Sequence, residues 1–165
     1  MAPGPFPGPF PEKIVSGGQT GVDRAALDTA QALGIPRGGW CPKGRKAEDG
    51  PIPGRYPVAD TESAAYEERT RRNVGDSDAT LILAPGPLSG GTGLAAETAA
   101  AQGKPLLVAD PLTSSPDPQA VAHWLAGNRV RVLNVAGPRE SAQPGIYRAA
   151  ADFLAQVLAL TRPPS

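Results

Sequence analysis

Ser16-Gly17-Gly18-Gln19-Thr20-Gly21-Val22-Asp23-Arg24 decides how the rest of the chain is read. Just before it, Lys13-Ile14-Val15-Ser16 has the apolar, β-branched character of a buried strand. Just after it, Arg24 to Leu33 sets Ala26, Leu27, Ala30 and Leu33 on one helical face. Glycines, a Thr and an Asp between strand and helix suit a tight turn with exposed backbone N–H groups. Such a turn is an anion site, because those N–H groups and the positive end of the helix dipole point the same way. The expectation is a pocket, built around this turn, for a small phosphorylated ligand.

Downstream, the same alternation recurs. Thr20 and Asp23 have capping-box spacing, Gly34 is placed to end the first helix, and Pro36 stops its continuation. Pro36 to Pro42 suits a short second strand. Lys43 to Pro57 shows no periodicity; a loop of this length is uncommon and often functional, which suggests a lid. A helix is expected over 61–73, broken by Asp76-Ser77-Asp78. Ala79 to Ala84 is a continuous apolar run suited to a parallel strand covered on both faces.

A second glycine loop, Pro85 to Gly93, opens an alanine-rich helix that ends near Gly103. Leu106 to Ala109 is a further strand, Asp117-Pro118 an N-cap and N1 pair, and Val130 to Val135 the last strand. A third polar turn, Ala136 to Ser141, precedes a closing helix from Ile146 to Leu160. This order predicts a single α/β domain over 13–161, with a mostly parallel sheet and helices on both faces. All three turns follow strands and so share the carboxyl edge, where ligands bind in such sheets. Residues 1–12, a Pro-Gly-Pro-Phe repeat, read as a disordered or polyproline-like arm.

Composition narrows the function. In 165 residues, 16 basic and 16 acidic side chains cancel, so no global field draws in nucleic acid or an anionic membrane. Local geometry has to bind any anion. No apolar run reaches the roughly 20 residues of a membrane span, and a soluble, cytoplasmic protein is expected. Cys41 is the single cysteine and His123 the single histidine, which leaves neither a disulfide framework nor a protein-ligated metal. Cys41 beside Trp40 reads as a packed small residue. The first turn is not GxGxxG and there is no GxxxxGK[ST], so neither the dinucleotide fingerprint nor a P-loop is present. Glu97 can compensate the dipole of its helix or accept hydrogen bonds from a ligand. Asp76 and Asp78 can cap, and Arg69 can face inward.

Several runs resemble the molybdenum-carrier family. They are Ser16 to Asp28, Gly38-Gly-Trp-Cys-Pro-Lys-Gly-Arg-Lys-Ala-Glu-Asp-Gly50, Arg69-Thr-Arg-Arg-Asn-Val74, Asp76-Ser-Asp-Ala-Thr-Leu-Ile82, Gly90-Gly-Thr92 and Leu133-Asn-Val-Ala-Gly-Pro-Arg-Glu-Ser141. The family takes its name from an algal protein that binds and protects the molybdenum cofactor, a phosphorylated pyranopterin whose dithiolene holds molybdenum. The resemblance implies a Rossmann-like fold, a homo-oligomer (dimer or tetramer), and a binding or carrier role without turnover. Molybdoenzymes or cofactor-synthesis proteins are the partners it implies. On that reading Gly17, Gly18, Gln19, Thr20 and Gly21, with Ser89, Gly90, Gly91 and Thr92, hold the phosphate. Lys43, Arg69 or Arg139 adds charge; Asp23, Asn73, Asp76 and Glu97 meet amine and amide edges. Where the family carries Ala-Leu-Thr after Gly-Gly-Thr, this chain has Gly93-Leu94-Ala95, one hydroxyl fewer.

Gly90 to Glu97 is also similar to the Gly-Gly-x-Gly-Thr-x-x-Glu motif of lysine-decarboxylase-like phosphoribohydrolases, with Arg69 and Asp78 at matching spacing. That likeness implies an alternative, release of a base from a nucleoside monophosphate, with Glu97 stabilising an oxocarbenium-like ribose and Arg69 orienting the phosphate. A nucleotide-sensing module without turnover is the third reading.

Overall fold

The computed structural model describes residues 10–162. Five strands form one parallel sheet in the order β2-β1-β9-β7-β8. These strands are β1 (Lys13–Val15), β2 (Arg37–Gly38), β7 (Ala79–Leu83), β8 (Leu106–Ala109) and β9 (Val132–Ala136). Two small two-stranded sheets lie outside it: β3 (Trp40–Cys41) pairs parallel with β6 (Ala59–Asp60), and β4 (Lys46–Ala47) antiparallel with β5 (Gly50–Pro51). The helices are α1 (Val22–Ala32), α2 (Tyr66–Gly75), α3 (Gly90–Ala101), α4 (Pro118–Gly127) and α5 (Ile146–Leu160).

The period-two alternation of strand side chains splits the core in two. Ile14, Leu81, Leu83, Leu133 and Val135 point to the face covered by α1, α4 and α5 and join their apolar residues in the main cluster. Ile82 and Ala84 point the other way, to a smaller cluster with Val74 of α2 and Ala95 and Ala99 of α3. Both faces are covered and all five main strands are parallel, so the fold is Rossmann-like α/β, as the alternation predicts. The chain's last strand, β9, inserts between β1 and β7, so strand order reverses there. That reversal opens a crevice at the carboxyl ends of β1, β9 and β7.

Two expected elements differ. The helix expected from Thr61 begins at Tyr66, because the Thr61 amide donates to Cys41, its hydroxyl to the Ser63 carbonyl, and the Ser63 amide to the Glu68 carboxylate. Those bonds hold the approach to the helix as a turn. The unpatterned stretch 43–57 holds β4 and β5 and packs a third cluster of Leu27, Cys41, Ala47, Ile52, Tyr56 and Val58. Most of the expected N-terminal arm, with the phenylalanine at position 6, lies outside the described residues. Of its last residues, Phe10 packs on the main core and Pro11 is buried, its carbonyl accepting a 2.7 Å hydrogen bond from Arg162.

Candidate functional site

The crevice is a cavity of about 250 Å3 walled by all three glycine-bearing turns. Gly17 and Gln19 come from the loop after β1 and Asp23 from the start of α1; Pro85, Pro87, Leu88 and Ser89 come from the loop after β7 and Gly90 to Thr92 from the start of α3. Asn134 to Arg139 come from β9 and the loop that follows it, and Tyr66, Arg69, Thr70 and Asn73 from α2.

The first turn spends most of its own amides. Gln19 N–H donates to the Asp23 carboxylate at 3.3 Å and Thr20 N–H to the Gln19 side-chain carbonyl at 3.1 Å. Arg24 N–H goes to Gln19 O, and Val22 N–H reaches across to Pro138 O. Gly21 has φ 80°, and a Cβ there would lie 2.4 Å from the Pro138 carbonyl oxygen, so only glycine lets the third turn close on the first. The capping box suggested by Thr20 and Asp23 does not form: Gly21 is the N-cap, with no side-chain hydrogen bond.

The N-terminus of α3 is arranged differently. Ser89, its N-cap, makes no side-chain capping bond, and among the described residues the amides of Gly90, Gly91 and Thr92 have no hydrogen-bond partner. Ser89 and all three of those residues line the cavity. By contrast, α4 receives the Asp117 carboxylate at Ala120 N–H, and Glu140 accepts from Gly145 and Tyr147 N–H at the start of α5. The open end of α3 therefore presents N–H donors and a positive partial charge to the crevice.

Three cations gather round one aromatic ring beside it. Lys46 Nζ lies 4.8 Å, Arg69 Cζ 5.2 Å and Arg139 Cζ 5.8 Å from the centroid of Tyr66. Arg69 is buried to 9% exposure and donates from Nη1 to Gly17 O at 2.9 Å. Among the described residues, its other N–H groups have no hydrogen-bond partner. Its nearest carboxylate, on Asp23, is 3.8 Å away. Burial pushes the Asp23 carboxyl above its ordinary value, with the Arg69 charge and the Gln19 amide pulling the other way.

Comparison with known proteins bears on this architecture directly. The family model described as circularly permutated YpsA SLOG family matches residues 14–158. The chain belongs to that family. Among solved structures it is similar to the putative molybdenum carrier protein from Syntrophus aciditrophicus SB, with 43% identity over 91% of this chain and 96% of that one and a TM-score of 0.84. The resemblance to molybdenum carriers read from the sequence motifs is thus borne out at the level of the family. No curated protein matches the chain.

For this SLOG-family chain the crevice brings together Gly17, Gln19, Asp23, Arg69, Asn73, Ser89, Gly90, Gly91, Thr92 and Arg139. Six expected site residues lie outside its lining. Gly18 packs beneath Ile52, and Gly21 seals against the third turn. The Thr20 hydroxyl is shared between Glu48 and the Glu140 amide. Lys43 is exposed, its amide bound to Ser63 O, and Glu97 is exposed on α3. Asp76 accepts the Trp40 indole N–H at 2.8 Å. Asn73 lines the crevice, but its amide is already used on both sides, accepting from Trp40 N–H and donating to Trp40 O.

Sequence reading missed Tyr66, Lys46 and Asn134. Asn134 alone carries a local signal, a polar residue in the middle of the apolar strand Val132–Ala136.

The stretch expected to act as a lid is a packed strap. Arg45 donates to the carbonyls of Ile52, Pro53, Tyr56 and Val58 at 2.8–3.0 Å and so ties the strap to itself. Its tip clips onto the other turns. Arg24 and Asp49 form a bidentate pair at 2.6 and 2.8 Å, and the Glu48 carboxylate accepts from the hydroxyls of Ser141 and Thr20. Those two hydroxyls hold the Glu48 carboxyl below its ordinary value. Among the described residues no helix is long and apolar enough to cross a membrane, and no cluster of His, Cys, Asp and Glu suits a metal.

Proposed function

We propose that this protein binds and carries a phosphorylated pterin, the molybdenum cofactor, in the crevice at the carboxyl edge of its sheet. One observation carries the reading: the uncapped α3 N-terminus opens into the same cavity as Arg69, Arg139 and the Tyr66 ring. Free amides, a helix dipole and guanidinium groups together favour a phosphate dianion. A cavity of about 250 Å3 lies just below the usual range of ligand sites, about 300–1,000 Å3, and so suits one phosphorylated small molecule better than a dinucleotide.

The residues present fit the cofactor. The lining holds no Cys or His, so any molybdenum would arrive on the ligand's own dithiolene, the chemistry that group supplies. The chain's part is to hold the phosphate at Gly90 to Thr92 with Arg69 and Arg139 and to meet the ring's polar edge with Asp23. The name of the Syntrophus relative, a molybdenum carrier, supports a molybdenum-related cargo. On this reading the protein assembles as a homo-oligomer in the cytoplasm and exchanges cargo with molybdoenzymes or cofactor-synthesis proteins.

The hydrolase alternative draws less from the geometry. Glu97 is exposed and absent from the cavity wall, and Asp78 spends its carboxylate on the amides of Arg131 and Val132, before and at the start of β9. Anaerobic titration of the full chain with molybdenum cofactor released from a molybdoenzyme tests the proposal. Saturable binding that weakens in Gly91→Val is expected. No saturable binding, or unchanged affinity in that variant, overturns it.

A further inference from the structure

Asn134 poses a question that the phosphate cradle does not answer. It sits in the middle of β9, paired with Thr80 of β7 and with Val15 of β1, and is only 3% exposed. Its Nδ2 donates to the Thr80 hydroxyl at 3.3 Å, whereas its Oδ1 has no partner among the described residues. A buried carbonyl oxygen without a partner costs about 1–3 kcal/mol. The described residues hold no fully enclosed side-chain oxygen or nitrogen that lacks a hydrogen bond, so Oδ1 must reach open space. The cavity that Asn134 lines is that space.

Asp23 lines the same cavity from the start of α1, which follows β1, the strand hydrogen-bonded to β9. Its carboxylate takes the Gln19 amide and has the Gly17 amide, the Ser16 hydroxyl and Arg69 beside it, yet with about four lone-pair sites it keeps room for one more donor. The crevice thus offers hydrogen-bond acceptors at Asn134 and Asp23, and donors and positive charge at the α3 end and at Arg69 and Arg139. A ligand satisfying both is a phosphate ester carrying a flat ring with adjacent N–H donors. The edge of a 2-amino-4-oxopyrimidine, shared by pterin and guanine, presents a ring N–H beside an amino group. Adenine presents a ring acceptor there instead, which would face acceptors. Hypoxanthine keeps the ring N–H but lacks the amino group.

We infer that Asn134 and Asp23 read a 2-amino-4-oxopyrimidine edge, making Asn134 a specificity-determining residue of the crevice. This rests on the phosphorylated-pterin reading above and assigns the recognition of the ring to residues separate from the phosphate cradle. Asn73, which the sequence suggested for this part, is engaged by the Trp40 backbone.

The experiment measures displacement of bound molybdenum cofactor from the full chain by GMP, IMP and AMP, in the unaltered protein and in Asn134→Leu and Asn134→Asp. GMP is expected to compete at least about tenfold better than AMP, the worth of one charge-assisted hydrogen bond, with IMP between them. Asn134→Leu should narrow the gap between GMP and AMP by weakening GMP and leaving AMP unchanged, and Asn134→Asp, which keeps an acceptor, should restore it. Equal competition by all three, or equal weakening of all three in Asn134→Leu, overturns the inference and leaves the anion cradle standing. If Asn134→Leu fails to fold, the ranking on the unaltered chain and in Asn134→Asp decides. Failure of the cofactor itself to bind overturns the underlying reading, and this inference with it.

Discussion

One methyl group at Gly17 tests how Arg69 is held. An alanine Cβ there would lie 2.2 Å from Arg69 Nη1, 2.8 Å from its Cζ and 2.9 Å from Asp23 Oδ2. The obstacle is the end of a flexible side chain, so Gly17→Ala should fold, with the guanidinium pushed back by about 1 Å to regain ordinary contact. That retreat stretches the 2.9 Å bond from Nη1 to Gly17 O beyond hydrogen-bonding range. A bond to a charged donor contributes about 1.5–3 kcal/mol, and mild overpacking adds about 1 kcal/mol. At roughly 2–4 °C per kcal/mol for a domain of this size, the melting temperature should fall by about 5–15 °C.

Arg69 would also leave its place on the cavity wall, so affinity for molybdenum cofactor should drop by about 10–100-fold. Thermal melting of the purified chain, followed by equilibrium titration below the lower midpoint, reads both numbers. Gly91→Ala is the stability control: the nearest atom to its Cβ is Thr70 Oγ1 at 3.9 Å, so its melting temperature should hold or rise. A Gly17→Ala protein that melts with the unaltered chain and keeps its affinity would refute the idea that Gly17 fixes Arg69.

Three further outcomes follow from the geometry. Burial pushes the Cys41 thiol up to about 11, so it should resist Ellman's reagent at pH 8 in the native protein and react fully once unfolded in guanidinium. Arg45→Ala removes a cation shared by four carbonyls and should lower unfolding stability by about 3 kcal/mol in a denaturant titration; an unchanged midpoint would mean that the strap packs without it. Asp23→Asn relieves a buried charge whose folded pKa is raised, so the variant should be more stable than the parent at neutral pH. Protonated Asp23 resembles Asn, so that gap should close as pH falls through the raised value, and a gap that widens in acid would show the opposite shift.

The fold was legible where periodicity is strong. Leu106 to Ala109 and Ile146 to Leu160 fall at the observed limits of β8 and α5, and Asp117-Pro118 caps α4 with the side-chain bond its spacing suggests. The strap was not legible, because its order comes from Arg45 reaching backbone carbonyls up to 13 residues away, a bond pattern that leaves no period in the sequence. The convergence of Gly17, Gly91 and Arg139 was legible because three turns had to share one sheet edge, whereas Arg69 reaches the crevice from α2. Tyr66 and Lys46 were not, since a ring ringed by cations is assembled from α2, β4 and the last turn only after folding.

The opening turn shows why a motif's local physics can be right and its role different. Ser16 to Arg24 does place glycines between a strand and a helix, and an isolated peptide of that form would offer free amides. In the folded chain the third turn arrives on top of it: Pro138 O takes Val22 N–H, and Gly21 has no room for a Cβ. Gln19 and Asp23 then absorb neighbouring donors. What survives at the crevice is a wall of acceptors and one arginine anchored on Gly17 O, while the open amides belong to α3. The same loop type therefore serves two ends of one cavity. At α1 it fixes Asp23 and Arg69 in place, and at α3 it is left unsatisfied for an anion. A local pattern can name both turns as candidates, but only the packing of residues 136–141, distant in sequence, decides which of them stays open.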